Sequence, residues 1–491
     1  MTSGLAPEGV NIRHPDKLFI GGEWVAPHGT AMIEVENPVI EEVIARVAHA
    51  DTVDMDRAVA AARAAFDHGP WPFTPPLERM AHLMRMIDEL EKRVPELAKA
   101  WTAQIGGLAV ASAGMHAGAV AGLRGIASLG ERFQWEERRP GMAVNTVCIV
   151  REPVGVVAAI APWNGPFAIM ANKVFYALIA GCSVIMKPSP ETPLEAYIIA
   201  EAAEAAGMPP GTVNLVPADR EAADHLVHNP GLDKVSFTGS SAAGMHIASV
   251  CGANMTRCTL ELGGKSAAII RDDFPTEAAA QILGNTITVM SGQVCAMLSR
   301  AIVPKARHDE LAEAIAGVMK GVKIGDPNDP TTQLGPLAMR RQRDRVEMYI
   351  EEGKKTADLV TGGQRPAHLN KGYFIEPTLF ANVDNTSRIA QEEIFGPVLC
   401  LIPAEDEEDM IRIANESQFG LNGSVFTQDP QAAYDIARKV RTGVVGQNGM
   451  RMEWTAPFGG FKKSGIGREG GDEGIWGYVE TKTILVDGPL A

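Results

Sequence analysis

Val154-Gly155-Val156-Val157-Ala158-Ala159-Ile160-Ala161 is apolar throughout and bounded by Pro153 and Pro162, which suits a short strand buried on both faces. Similar short runs follow at Ser183-Val184-Ile185-Met186-Lys187, Thr212 to Val216, Lys234-Val235-Ser236-Phe237-Thr238 and Arg257-Cys258-Thr259-Leu260-Glu261. Helical spacing fills the gaps: Glu195 to Ala206 carries apolar residues on one face, stops at Gly207 and is followed by Pro209 and Pro210. Each strand-helix unit occupies about thirty residues. The pattern predicts an α/β fold with a parallel sheet covered by helices, which places ligands at the carboxyl ends of the strands. This stretch is a candidate nucleotide-binding lobe of Rossmann type.

Upstream, residues 53–130 read as Ala-rich helix; downstream a second alternating series begins at Ser266-Ala267-Ala268-Ile269-Ile270, with a helix from about Thr276 to Met290 and a strand over Ser299 to Pro304. Two β-branched segments, Gly141 to Arg151 and Tyr478 to Val486, fit neither series and are candidates for pairing between subunits. The expected division is a cofactor-binding domain over 1–135 and 152–262, an α/β catalytic domain over 263–462, and a small β oligomerisation domain from 136–151 and 463–491. A chain of 491 residues needs more than one core, because single cores stop growing at roughly 250–300 residues.

Sixty acidic against forty-five basic side chains give a net charge of −15, which repels nucleic acid and anionic membrane surfaces. The six cysteines are scattered without a CxxC pair, as in a reducing cytoplasm, and neither a secretion signal nor a membrane span is expected.

Cys295, in Ser291-Gly292-Gln293-Val294-Cys295, is set in a context that packing does not require, and Glu261-Leu262-Gly263-Gly264-Lys265 offers a carboxylate to serve it. A free thiol is only about 3% thiolate at neutral pH, so a working nucleophile needs a base, a helix terminus or a cation. Gly292 and Gly263-Gly264 are expected to let a ligand approach the backbone closely. Gly465-Ile466-Gly467-Arg468-Glu469-Gly470 spells a dinucleotide fingerprint but follows no strand of the required unit, and is expected to be a turn. Gly264-Lys265-Ser266 echoes a phosphate loop, yet Thr259 stands where that loop needs its first glycine.

A longer series is more specific. Pro162-Trp163-Asn164, Lys187-Pro188-Ser189, Phe237-Thr238-Gly239-Ser240 with Gly244, Leu260 to Lys265, Gly292 to Cys295, Glu392-Glu393-Ile394-Phe395-Gly396-Pro397 and Pro457-Phe458-Gly459-Gly460 occur in that order. Together they resemble the aldehyde dehydrogenase superfamily, from about Leu18 to the C-terminus. The resemblance implies that Cys295 attacks an aldehyde, that Asn164 and the cysteine N–H hold the resulting oxyanion, and that Glu261 activates the water that hydrolyses a thioester to a carboxylic acid. It also implies a nicotinamide cofactor. Ala161, Pro162 and Trp163 would line its cleft, Lys187 and Ser189 the adenosine ribose, Gly239, Ser240 and Gly244 the pyrophosphate, and Leu262, Glu393 and Phe395 the nicotinamide half. Dimers or tetramers of identical chains are implied as well.

NAD is the expected cofactor, and NADP stays open: many NAD-preferring relatives carry a carboxylate where Pro190 stands here, followed by Glu191. The usual Gly-Lys-Pro of the early helices is replaced by Gln104 to Ala109. Substrate contacts are carried over to Gly165, Ile169, Asn172, Arg451, Met452 and Phe458, forming a roomy pocket for a medium-sized, largely apolar aldehyde; Arg451 would meet a carboxylate if the substrate is a semialdehyde. The alternatives are a coenzyme-A-acylating semialdehyde dehydrogenase, against which Glu261 counts, and a non-catalytic binding or structural protein on the same fold. A thiol hydrolase lacks a histidine partner near Cys295. His225 and His228 have the spacing at which two imidazoles meet one metal, but with no third ligand nearby no metal is expected.

Overall fold

The switch in strand order is what locates the ligand cleft in this computed structural model, which describes residues 7–488 and 490. Five strands lie parallel in the spatial order Arg257–Glu261, Lys234–Thr238, Val156–Ile160, Ser183–Lys187, Val213–Leu215. The chain starts in the middle of this row, at Val156–Ile160, proceeds outward on one side and then crosses to the other. Adjacent connections therefore leave in opposite directions between Val156–Ile160 and Lys234–Thr238, and a crevice opens beyond their carboxyl ends. Leu18–Ile20 and Glu23–Val25 extend one edge antiparallel, and Gly465–Ile466 the other, giving eight strands. The central strands are buried residue for residue, as their unbroken apolar runs predict.

A second, seven-stranded sheet holds Ser266–Ile270 between Leu298–Pro304 and Asn422–Phe426, all parallel, with only the edge strand Asp358–Thr361 antiparallel. The predicted strands at 183–187, 234–238, 257–261 and 266–270 have the predicted bounds. The helix predicted to reach Met290 ends at Thr286, because Met290, Ser291 and Gly292 take left-handed φ of 50°, 56° and 74° in succession.

The two segments that fitted neither lobe pair with each other. Val479–Val486 runs antiparallel to Thr146–Pro153, which also pairs with Glu136–Pro140. The small sheet takes only the last part of 463–491. Gly465–Ile466 belongs to the large sheet instead, and Met32–Asn37 with Glu42–Ala48 forms a separate two-stranded ribbon. All six cysteines are free, and among the described residues no helix is long and apolar enough to cross a membrane.

Candidate active site

Cys295 is presented by a strained and heavily braced loop. Left-handed φ at the non-glycine residues Met290 and Ser291 costs energy that surrounding contacts must offset. Ser291 Oγ donates to the Gly335 carbonyl at 2.9 Å, Gln293 Nε2 donates to the Met290 carbonyl at 3.0 Å, and the Ala338 N–H donates to Gln293 Oε1 at 3.0 Å. Gly292 is needed for protein rather than for a ligand: a Cβ there would lie 2.2 Å from the Gly396 backbone. At Gly263-Gly264 the close approach is also to protein, while Gly263 lines the crevice described below as well. A Cβ on Gly263 would strike the Glu393 carboxylate at 2.3 Å, and one on Gly264 the Cys295 carbonyl at 2.4 Å. These glycines let the Cys295 loop, the Glu393–Gly396 segment and the start of the catalytic lobe pack closely against one another.

Among the described residues no cation acts on the Cys295 thiol. Burial, then the carboxylates of Glu393 and Glu261, push its pKa up to about 12, against a smaller opposing effect of the Ala296 and Cys295 backbone N–H groups. The resting sulfur is a thiol, and its proton must be taken by a base at the moment of attack.

Glu261 fits that task. It ends its strand 4% exposed, with neither carboxylate oxygen hydrogen-bonded to protein. Burial, reinforced by Glu469, holds its carboxyl well above the usual range, with Lys173 and Arg468 opposing. The space for its side chain depends on Gly459, whose Cβ would come within 2.6 Å of Glu261 Oε1.

Behind Glu261 lies a buried network that sequence reading missed. Lys173 pairs with Glu469, which accepts from Ser236 Oγ at 3.1 Å; Ser236 Oγ in turn accepts from the Tyr478 hydroxyl at 3.1 Å. Glu469 lies within the glycine-rich segment expected to be a turn; that segment is a short strand beside Leu260 and Glu261, followed by this carboxylate. A lysine within the apolar Pro166–Ala180 helix was the available signal, since an unpaired buried cation is costly.

Asn164, 8% exposed, donates from Nδ2 to the Gln293 carbonyl at 2.9 Å, and its own carbonyl accepts from Trp101 Nε1 at 3.2 Å. The amide is thus fixed beside the nucleophile loop with its second N–H uncommitted, as an oxyanion donor must be.

Two cavities meet at Cys295. One, of about 240 Å³, is the crevice at the strand switch, lined by Pro162, Trp163, Asn164, Gly239, Ser240, Leu262, Glu393 and Phe395. It also includes Thr238, Gln342 and Arg345, which sequence reading did not name. Phe395, at φ 63°, packs its ring edge-on against Trp163 at 5.3 Å, and Glu393 accepts from the Gly264 N–H at 3.0 Å. Burial raises the Glu393 carboxyl to about 7.

Of the remaining cofactor positions, Ala161 follows the strand Val156–Ile160 directly, and its N–H donates to the Lys187 carbonyl at 3.3 Å. Burial lowers Lys187 to about 8 despite the carboxylates of Glu191 and Asp219. Ser189 Oγ bonds Glu191, and Arg341 pairs with Glu191 at 2.5 Å, so a carboxylate does stand near Lys187, one residue later than expected. Gly244 is corrected: it is absent from the crevice wall, and a Cβ on it would clash with Leu262 at 2.4 Å, so it serves the packing of its helix.

The second cavity, about 150 Å³ and overwhelmingly apolar, is lined by Ala168, Ile169, Asn172, Met452, Trp454 and Phe458, with Cys295 and Glu261 at its base. A cavity of that order takes a benzene-sized body, so it is slender where a roomy pocket was expected. Gly165 does not line it; it precedes the Pro166–Ala180 helix and faces Ile169. Arg451 does not line it either, and donates to the Gln447 carbonyl at 3.2 Å from an exposed position. Glu453 lines it instead, which disfavours an anionic substrate.

Comparison with known proteins agrees with this geometry. A geranial dehydrogenase of Castellaniella defragrans is 45% identical over 472 residues, spanning 96% of this chain and 98% of its own. The crystal structure of a Mycobacterium tuberculosis aldehyde dehydrogenase complexed with NAD+ superposes with a TM-score of 0.95 at 42% identity, covering 98% of this chain and 100% of that one. A mutant of aldehyde dehydrogenase C from Pseudomonas syringae, complexed with NAD+ and octanal, gives 0.94 at 37% identity over 98% and 99% of the two chains. The aldehyde dehydrogenase family profile matches residues 24–484, a span that holds Cys295, Glu261, Asn164 and both cavities, and the chain belongs to the aldehyde dehydrogenase family.

Proposed function

We propose that this protein oxidises an aldehyde with a medium-sized apolar chain to the carboxylic acid, with NAD as electron acceptor and Cys295 as the covalent carrier. The observation that carries the reading is the position of Cys295 and Glu261 in the walls of both cavities, one at a strand switch with the larger share of polar groups, the other overwhelmingly apolar.

The crevice suits a dinucleotide on its own features. The Ser241–Asn254 helix, capped by Ser240, turns its first N–H groups toward the crevice, where an anionic pyrophosphate is favoured. Glu393, Phe395 and Leu262 would hold the nicotinamide half and Lys187 with Ser189 the adenosine ribose. The carboxylate of Glu191 beside Lys187 supports NAD over NADP, because it repels a 2′-phosphate. When bound, NAD supplies a two-electron acceptor that takes hydride from the carbon attached to Cys295.

The chain's own residues do the rest. Glu261 takes the Cys295 proton, and the sulfur attacks the aldehyde carbon to give a thiohemiacetal. Its oxyanion is met by the Asn164 amide and the Cys295 N–H, donors of the kind worth about 10²–10³ in rate. After oxidation Glu261, having released the thiol proton to solvent, deprotonates the water that cleaves the thioester and returns that proton to the departing Cys295 sulfur. This restores the thiol and releases the acid. Glu261 also supports hydrolysis over transfer of the acyl group to coenzyme A.

The protein is further proposed to act in the cytoplasm as a homodimer or homotetramer. Val479–Val486 is an edge strand with Ile484 and Leu485 exposed, an edge that calls for a partner. A matrix of aldehydes against NAD and NADP, followed by reduced-cofactor absorbance and product identification, tests the reading. Free acid formed from octanal or geranial with NAD supports it; an acyl-coenzyme-A product, or no turnover across the matrix, contradicts it.

A further inference from the structure

We propose a divalent transition-metal site on the surface of the cofactor lobe, formed by Asp224, His228 and His246, with zinc-like preference. Asp224 and His228 lie one turn apart on the Arg220–His228 helix, and His246 projects from the neighbouring Ser241–Asn254 helix. One ligand-capable atom from each lies within 4.8 Å of the other two. His246 Nε2 is 2.6 Å from Asp224 Oδ1, His228 Nδ1 is 3.6 Å from Asp224 Oδ2, and the two imidazole rings are 5.9 Å apart between centroids.

Two further observations favour a metal over a chance surface cluster. His228 Nδ1 is 2.9 Å from the Asp224 backbone carbonyl. A carbonyl can only accept, so in the neutral ring Nδ1 carries the hydrogen and Nε2 the free lone pair; Nε2 is the nitrogen offered to a metal, while the 3.6 Å contact with Asp224 Oδ2 is made by Nδ1. Metal-bound histidines are commonly oriented through such a bond from the other ring nitrogen. The two backbones are also held in place: Leu226 and Val227 are 0% and 3% exposed, Ile247 is 5% exposed, and Asp219 and Ser240 cap the two helices. Binding then has only exposed side-chain rotamers to order, at a smaller entropic cost than moving an element.

Two imidazole nitrogens and one carboxylate suit Zn²⁺, Co²⁺ or Ni²⁺, with water completing the coordination; Ca²⁺ and Mg²⁺ favour an all-oxygen shell. The cation replaces the hydrogen that His246 Nε2 shares with Asp224, which passes to Nδ1 from a neutral ring or to solvent from a protonated one. The sequence spacing pairs His228 with His225, but His225 Nε2 contacts Asp56 at 2.9 Å, and the third ligand comes from another helix. None of the three ligands lines either cavity at Cys295. The site is therefore a clamp between two helices, one of which opens onto the cofactor crevice.

The test is isothermal titration of tag-free, chelator-stripped protein with Zn²⁺, in parallel with the d–d absorption of Co²⁺. The intact protein is expected to bind one equivalent that both His246→Ala and Asp224→Asn lose, with a Co²⁺ spectrum free of thiolate charge transfer and no corresponding equivalent of Mg²⁺. Neither variant should change aldehyde oxidation in the absence of added metal, so the result is independent of the reading of Cys295. Absence of binding to the intact protein, retention of the same equivalent by both variants, or a thiolate band overturns the proposal.

Discussion

On one side of Cys295 the wall draws on backbone and charge: the ends of two parallel strands, the start of a capped helix, Glu393 and Arg345. On the other side it is built from side-chain carbon: Ile169 and Ala168 on a helix face, and Met452, Trp454 and Phe458 from the segment after Gly449. Main-chain positions at a strand switch cannot be retuned without refolding the sheet, whereas a loop side chain can be exchanged at little cost to the fold. The chemistry is thereby fixed and the substrate adjustable. Cys295 and Glu261 stand at the junction, with Asn164 on the crevice side, and all three belong to the fixed half.

If that contrast is right, changes at the junction remove turnover for every aldehyde. Cys295→Ala should lose about 10⁴-fold or more in kcat while keeping NAD affinity by titration. Asn164→Ala should lose about 10²–10³-fold, in kcat rather than KM, because the donor acts on an oxyanion formed only during reaction.

The raised Glu261 carboxyl adds a pH signature. A base works only when deprotonated, so kcat should fall as pH drops through that raised value, and the loss should begin well above the ordinary carboxylate range. Glu469→Gln removes a neighbouring negative charge that helps to raise it, so the acidic limb should move to lower pH. An unmoved limb would detach the buried Lys173–Glu469 network from the base.

Smaller effects separate the two walls. Glu191→Gln should narrow the preference for NAD over NADP by about tenfold, one charge contact of roughly 1.4 kcal/mol, without changing the ranking of aldehydes. Phe458→Ala should do the reverse, lowering kcat/KM for octanal by about 10-fold and sparing acetaldehyde. Arg451→Ala should change neither, since that side chain lies outside both cavities. A selective loss on semialdehydes in that variant would restore the carboxylate-binding role inferred from sequence.

The same contrast explains what the sequence disclosed. Strands such as Ser183–Lys187 and Lys234–Thr238 were legible because a sheet buried on both faces permits nothing but continuous apolar residues. Cys295, Glu261 and most crevice residues were marked by short motifs occurring in a fixed order along the chain, and the fold gathers them around two cavities. What escaped depends on approach in space between residues remote in sequence. Gly292 was read as making room for a ligand and makes room for Gly396; Gly244 was read as a phosphate contact and makes room for Leu262. Glu469 was hidden in a segment whose glycines dominated its reading, although it completes the charge balance of Lys173 almost three hundred residues upstream. Arg451 was placed in the substrate pocket by its neighbours, and the chain turns it outward.

The covalent step at Cys295 is the central claim, and intact-protein mass spectrometry tests it most directly. Unaltered enzyme mixed with NAD and an aldehyde that it oxidises, and quenched in acid during the first turnover, should carry one acyl group, which peptide mapping assigns to Cys295 and which Cys295→Ala protein lacks. Unmodified Cys295 under those conditions would contradict the account.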